Sequence, residues 1–127
     1  MRAGRIGWMT LFSLAMAAAA PLYAKESDLV FFDVVPLKYT GWNDYEKGVG
    51  PNLLAKFTSV SFTVNDDVRT TVRGHIAWTS ATVQADGMAT NSTSIHLVLR
   101  HTAIWEQRGH DWVIVHEHVS VPASLGS

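Results

Sequence analysis

The sequence predicts an α+β domain in which helical pieces pack on one face of a curved, mostly antiparallel sheet. Three observations carry this. Arg100 to Pro122 reads as two long strands joined by a tight turn at Arg108-Gly109-His110. Ser59 to Val64 alternates strictly, with Val60, Phe62 and Val64 inward and Ser59, Ser61 and Thr63 outward. Trp42, Tyr45, Val49, Leu53 and Phe57 recur at helical spacing and form one apolar stripe. Strand, helix, then four or five antiparallel strands ending in long hairpins is the order of an α+β fold.

The totals narrow the function classes. With 127 residues, 47% of them hydrophobic, the chain has the size and composition of one globular domain. A net charge of -1 gives no long-range pull toward nucleic acid or an anionic membrane, and no RNA-binding motif is present. The chain has 0 cysteines, which excludes disulfides, thiolate chemistry and cysteine-based zinc sites. There is no Gly-rich phosphate loop, no nucleophile elbow and no H-E-x-x-H.

The start of the chain reads as an export signal. Arg2 and Arg5 precede an apolar, alanine-rich run from Ile6 to Ala20 that is too short for a comfortable membrane span. Residues 1–24 are therefore expected to be a signal peptide or an apolar N-terminal helix, and residues 25–127 the domain. The expected location is the bacterial periplasm or the medium, or the cytoplasm if the run is not a signal.

The remaining elements follow in order. Leu29 to Val35 is a continuous apolar run, interrupted by Asp33 and ended by Pro36, and reads as a strand buried on both faces. A helix starts near Trp42, and Gly48, Gly50 and Pro51 predict a kink or two short pieces. Asn65-Asp66-Asp67 is a turn, Val68 to Arg73 a short polar edge strand, and His75 to Ala85 a long strand with Ile76, Trp78, Ser80 and Thr82 on one side. Asp86 to Ser94 is expected to be a loop. In the last strand, simple alternation puts Trp112, Ile114, His116, His118 and Ser120 on one face. Val113, Val115 and Val119 make the opposite face apolar too, so the outer face is expected to be covered, most simply by a second subunit in a homodimer through the sheet.

At Asp28 to Asp33, Tyr39-Thr40-Gly41-Trp42 and Trp112 to Ser120, the chain resembles SnoaL-like, ketosteroid-isomerase-like proteins of the nuclear transport factor 2-like superfamily. The closing W-x-x-V-H-x-H-x-S run is also similar to the end of the association domain of calcium/calmodulin-dependent protein kinase. The resemblance spans about Tyr23 to Pro122 and implies a cone (a cystatin-like roll) with an apolar pocket at its open end, usually in a dimer. Members normally carry a long helix before the first strand. Here Leu22-Tyr23-Ala24 resembles its end, so that helix is expected to be either truncated or replaced by the alanine-rich run.

The resemblance implies Asp33 as general base, where a carboxylate in an apolar cavity takes a proton from carbon next to a carbonyl. The alternative is that Asp33 bonds to the loop after Pro36 or caps a neighbouring backbone amide. His116 and His118 lie roughly 7 Å apart by strand rise. They read either as a polarising pair, with His118 as acid, or as structural residues bonding across strands. A metal would need His101 or Asp33 as a third ligand, and no spacing supplies one, so no metal or cofactor is expected. Tyr39, Trp42 and Trp78 are expected in the pocket wall or core. Arg100 could clamp an anion or carbonyl if Thr102 faces His116, whereas a shift by one residue brings Ala103 and His101 there instead.

The function expected is binding of a small apolar or carbonyl-bearing molecule in the cone, with cofactor-independent, isomerase-like or lyase-like acid/base chemistry. The alternatives are a non-catalytic dimerisation or interaction module and a truncated, inactive relative.

Overall fold

The computed structural model describes residues 20–125. The charged and alanine-rich start of the chain, residues 1–19, lies outside the described residues, and with it most of the segment read as a signal or apolar helix. After a 3-10 turn at Ala20–Leu22, the described elements are β1 (Val30–Phe32), β2 (Tyr39–Thr40), α1 (Trp42–Asn52), a 3-10 turn at Leu54–Lys56, β3 (Phe57–Val64), β4 (Arg69–Arg73), β5 (Ile76–Ala89), β6 (Ser94–Arg108) and β7 (Asp111–Ser120). The strands form one curved sheet in the order β2-β1-β7-β6-β5-β3, with β4 pairing the first half of β5. The sheet is mixed: β1 runs parallel to β7, bringing Phe31 beside Glu117 and Phe32 beside His118.

The helix covers the inner face with the stripe read from sequence: Trp42, Tyr45 and Val49 are its buried residues. Gly48 sits where the ring of Tyr39 packs on the helix, and a Cβ there would lie 2.5 Å from Tyr39 Cε1. Pro51 falls in the last turn, and the chain continues as a separate 3-10 turn, giving two helical pieces. The main core joins these to Tyr23, Phe31, Ala103, Trp105 and Ile114. Burying each such large side chain contributes about 1.5–3 kcal/mol. Tyr23 and Ala24 are part of this fold: both are buried, and the Ala24 amide donates to the Ile114 carbonyl at 2.9 Å.

Two expectations about the strands are corrected. The first strand is short, Val30–Phe32 rather than Leu29 to Val35, because Asp33 turns to side-chain and backbone partners instead of continuing the ladder. The loop expected from Asp86 is strand as far as Ala89, paired to β3, with Gly87 placed against the β3 backbone.

The closing hairpin departs from alternation at one residue. Trp105 pairs with Ile114 and Ile104 with His116, so Val115 is an extra residue in β7, a β-bulge. The bulge reverses which parity faces inward. Ile114 is buried before it, and Glu117 and Val119 after it, while His118 is exposed. Thr102 therefore faces His118 and Arg100 faces Ser120, which is neither of the registers considered from sequence.

Candidate functional site

A cavity of about 110 Å³ lies between α1, the second 3-10 turn and the inner face of β3, β5 and β6. Val49, Leu53, Phe57, Val60, Phe62 and Leu97 form much of its wall, and among the described lining residues the polar side chains are Asp33 and Tyr45. Asp33 follows β1 on the inward side, held by the Val34 amide on Oδ1 at 2.7 Å and the Tyr45 hydroxyl on Oδ2 at 3.0 Å. Burial pushes its carboxyl from an ordinary 3.8 up to about 6; the nearby Glu117 adds to the rise, while the Val34 and Tyr45 hydrogen bonds oppose it.

Behind Asp33 lies a buried polar cluster that reaches across the core. Glu117 is 0% exposed and accepts the Tyr23 hydroxyl on Oε1 at 2.7 Å. The Tyr45 hydroxyl stands 3.0 Å from that same oxygen, and His101 Nε2 stands 2.8 Å from Oε2. Burial raises both phenols well above their ordinary range, with Glu117 adding to it, so Tyr23 and Tyr45 stay protonated as donors. The aromatic packing fixes their positions, with Tyr45 stacked on Phe31 at 4.8 Å and Tyr23 against Trp42 at 4.9 Å. A buried carboxylate is tolerated only when it is supplied with such partners.

The sequence matches the SnoaL-like domain family over residues 5–124. The chain belongs to this family. The SnoaL-like fold is borne out by solved structures. A nuclear transport factor 2-like superfamily protein from Salmonella enterica superposes with a TM-score of 0.81 at 18% identity, over 97% of this chain and 89% of that one. A candidate ketosteroid isomerase from Shewanella frigidimarina gives 0.75 at 18% identity, over 94% and 92%. A hexachlorocyclohexane dehydrochlorinase gives 0.75 at 13% identity, over 92% and 78%. At these identities the likeness establishes the fold. No curated protein matches the sequence.

Within this SnoaL-like domain the residues singled out from sequence separate into three places. Asp33 faces the cavity. Tyr39 and Trp42 are buried in the aromatic core, where the Tyr39 hydroxyl accepts from Asn52 and donates to the Val35 carbonyl, each at 3.3 Å. Trp78, Arg100, His116 and His118 belong to the outer face or the β1 edge and do not line the cavity. Trp78 is 43% exposed beneath Arg73. Arg100 holds Ser120 Oγ at 3.2 Å and the Val121 carbonyl at 3.1 Å. His116 Nδ1 contacts the Val30 carbonyl at 2.6 Å, and both histidines set their rings edge-on to Phe32. Asp33 and His118 share only a shallow outer recess. The physical reason is the bulge at Val115, which turns His116 and His118 outward and Glu117 inward.

Glu117, His101, Tyr45 and Tyr23 form a buried polar cluster that the sequence reading did not assemble: alternation turned Glu117 of β7 outward, and His101 of β6 was considered as a third metal ligand. Glu117 stands between His116 and His118, and His101 between Arg100 and Thr102, so no local pattern set either apart as inward-facing. Among the described residues, no group of three or more His, Cys, Asp or Glu side chains is placed to hold a metal ion. No helix among them is long and apolar enough to cross a membrane.

Proposed function

We propose that this SnoaL-like protein binds a small apolar or carbonyl-bearing molecule in its cavity and that Asp33 is the base that takes and returns a proton there. The observation that carries this is a carboxyl raised to about 6 at the wall of an otherwise apolar cavity. Such a group is ionised at neutral pH yet basic enough to remove a proton from carbon next to a carbonyl. The Tyr45 hydroxyl supplies the second polar contact. Apolar cavities of roughly 150 Å³ hold benzene, so about 110 Å³ suits a small ring or short chain. Fold relatives named for ketosteroid isomerase and dehydrochlorinase activity support this class of chemistry.

The test is deuterium exchange beside the carbonyl of small cyclic unsaturated ketones in D₂O, followed by NMR. Asp33→Asn is expected to lower the enzymatic rate about 100-fold or more, the lower bound for losing a general base. Equal exchange by both proteins would remove Asp33 from the chemistry.

A second reading, a self-association module, rests on the outer sheet face. Ile76, Trp78 and Ile104 stand there between 37% and 43% exposed, with Trp78 and Ile104 directly paired. A homodimer through this face would cover them. Sedimentation should show a dimer that Trp78→Glu dissociates; a monomer at all concentrations rejects this reading.

A further inference from the structure

The hydroxyl of Tyr45 lies 3.0 Å from Asp33 Oδ2 and 3.0 Å from Glu117 Oε1. A phenol carries one proton and can donate it to only one of these acceptors at a time. The other contact is a hydrogen bond only if the facing carboxyl itself carries a proton and donates to the phenol oxygen. The two contacts are therefore alternatives in which the Tyr45 proton points one way or the other.

Glu117 is equipped for this. Tyr23 at 2.7 Å and His101 at 2.8 Å supply its two oxygens whether or not Tyr45 donates to it. Asp33 is not so equipped: its other hydrogen bond is the single Val34 amide, on the opposite oxygen. When Asp33 is ionised, the Tyr45 proton is worth most at Asp33. When Asp33 is protonated, its own O–H can donate to Tyr45, whose proton is then best placed on Glu117.

We propose that Tyr45 is a positioning residue that turns its hydroxyl proton from Asp33 to Glu117 when Asp33 gains a proton, and back when Asp33 loses it. The proposal rests on the reading of Asp33 as a base only for the source of that proton. In the reaction a carbon–hydrogen bond breaks, its electron pair stays on the substrate, and an O–H bond forms on Asp33. That O–H donates to the Tyr45 oxygen, and the Tyr45 O–H rotates to Glu117 Oε1. No bond to the phenol proton breaks, and returning the proton to carbon reverses each movement. The groups facing the pair are Tyr39 from β2, Tyr23 from the N-terminal segment, and His101 from β6 through Glu117. His118 meets Asp33 only at the outer recess.

The experiment is a ¹³C NMR titration of the ligand-free protein, following Asp33 Cγ, Tyr45 Cζ and Glu117 Cδ. The expected result is that Tyr45 Cζ and Glu117 Cδ both shift at the pH where Asp33 Cγ titrates. The Tyr45 step should vanish in Asp33→Asn, and the Glu117 step should vanish in Tyr45→Phe, which keeps the ring on Phe31. A flat Tyr45 trace through the Asp33 midpoint overturns the proposal. So does a Glu117 step of equal size in Tyr45→Phe, which would mean charge acting through space. If Tyr45→Phe does not fold, the Tyr45 trace in wild type against Asp33→Asn decides alone. The measurement needs no substrate, so its failure is separable from failure of the ketone exchange.

Discussion

Replacing Asp33 with asparagine should make the protein more stable at neutral pH and leave it unchanged in acid. The carboxyl titrates at about 6 in the fold against 3.8 for an ordinary aspartate. The folded state therefore binds the proton more tightly than the unfolded chain, and stability falls as pH rises between these two values. At about 1.4 kcal/mol per pH unit, ionised Asp33 costs the fold roughly 3 kcal/mol above pH 6, and nothing below the unfolded value. Asparagine mimics the protonated carboxyl: its oxygen can accept from the Val34 amide and its amide can donate to Tyr45, leaving the Tyr45 proton for Glu117. The assay is urea unfolding of both proteins from pH 4 to pH 7.5. The gap in unfolding free energy should open by about 2–3 kcal/mol across that range, in favour of Asp33→Asn. Parallel pH curves, or a variant less stable at pH 7.5, would refute the argument that burial sets the Asp33 pKa.

Other perturbations probe the packing around the site. Tyr23→Phe removes one donor to the buried Glu117 carboxylate and should cost about 1.5–3 kcal/mol, visible as a lowered melting temperature by calorimetry. Gly87→Ala should cost about 1–3 kcal/mol in urea unfolding, because its Cβ would lie 2.3 Å from the Ser59 carbonyl oxygen and 3.0 Å from Val60 Cα. Leu97→Trp places a larger side chain on the cavity wall and should abolish small-ketone binding by NMR titration while the far-ultraviolet spectrum is retained.

Much of the architecture was legible because periodicity is a local property. The stripe Trp42, Tyr45, Val49 has one solution as a helix face, and Ser59 to Val64 has one as a half-buried strand. Asp33 drew notice as a carboxylate inside an apolar run, and the structure sets it at the cavity wall. The hairpin was legible as strand–turn–strand but not in its register. Trp112 to Val115 is apolar at four successive positions, so either parity can face the core, and nothing local marks Val115 as the extra residue.

What the sequence by itself determined is the fold class, the family, and the position of an acidic group at the end of the first strand. What only the tertiary structure decided is which polar residues meet that group. Pairing between strands distant in sequence, and one bulge in the last of them, send His116 and His118 outward and carry Glu117 and His101 into the core. Burial then brings Tyr23 and Tyr45 to Glu117, because a carboxylate removed from water is stable only with donors around it. Periodicity can say that a residue lies on a strand; the side it faces depends on the partner strand, and here that side separates the buried polar cluster from the exposed histidines.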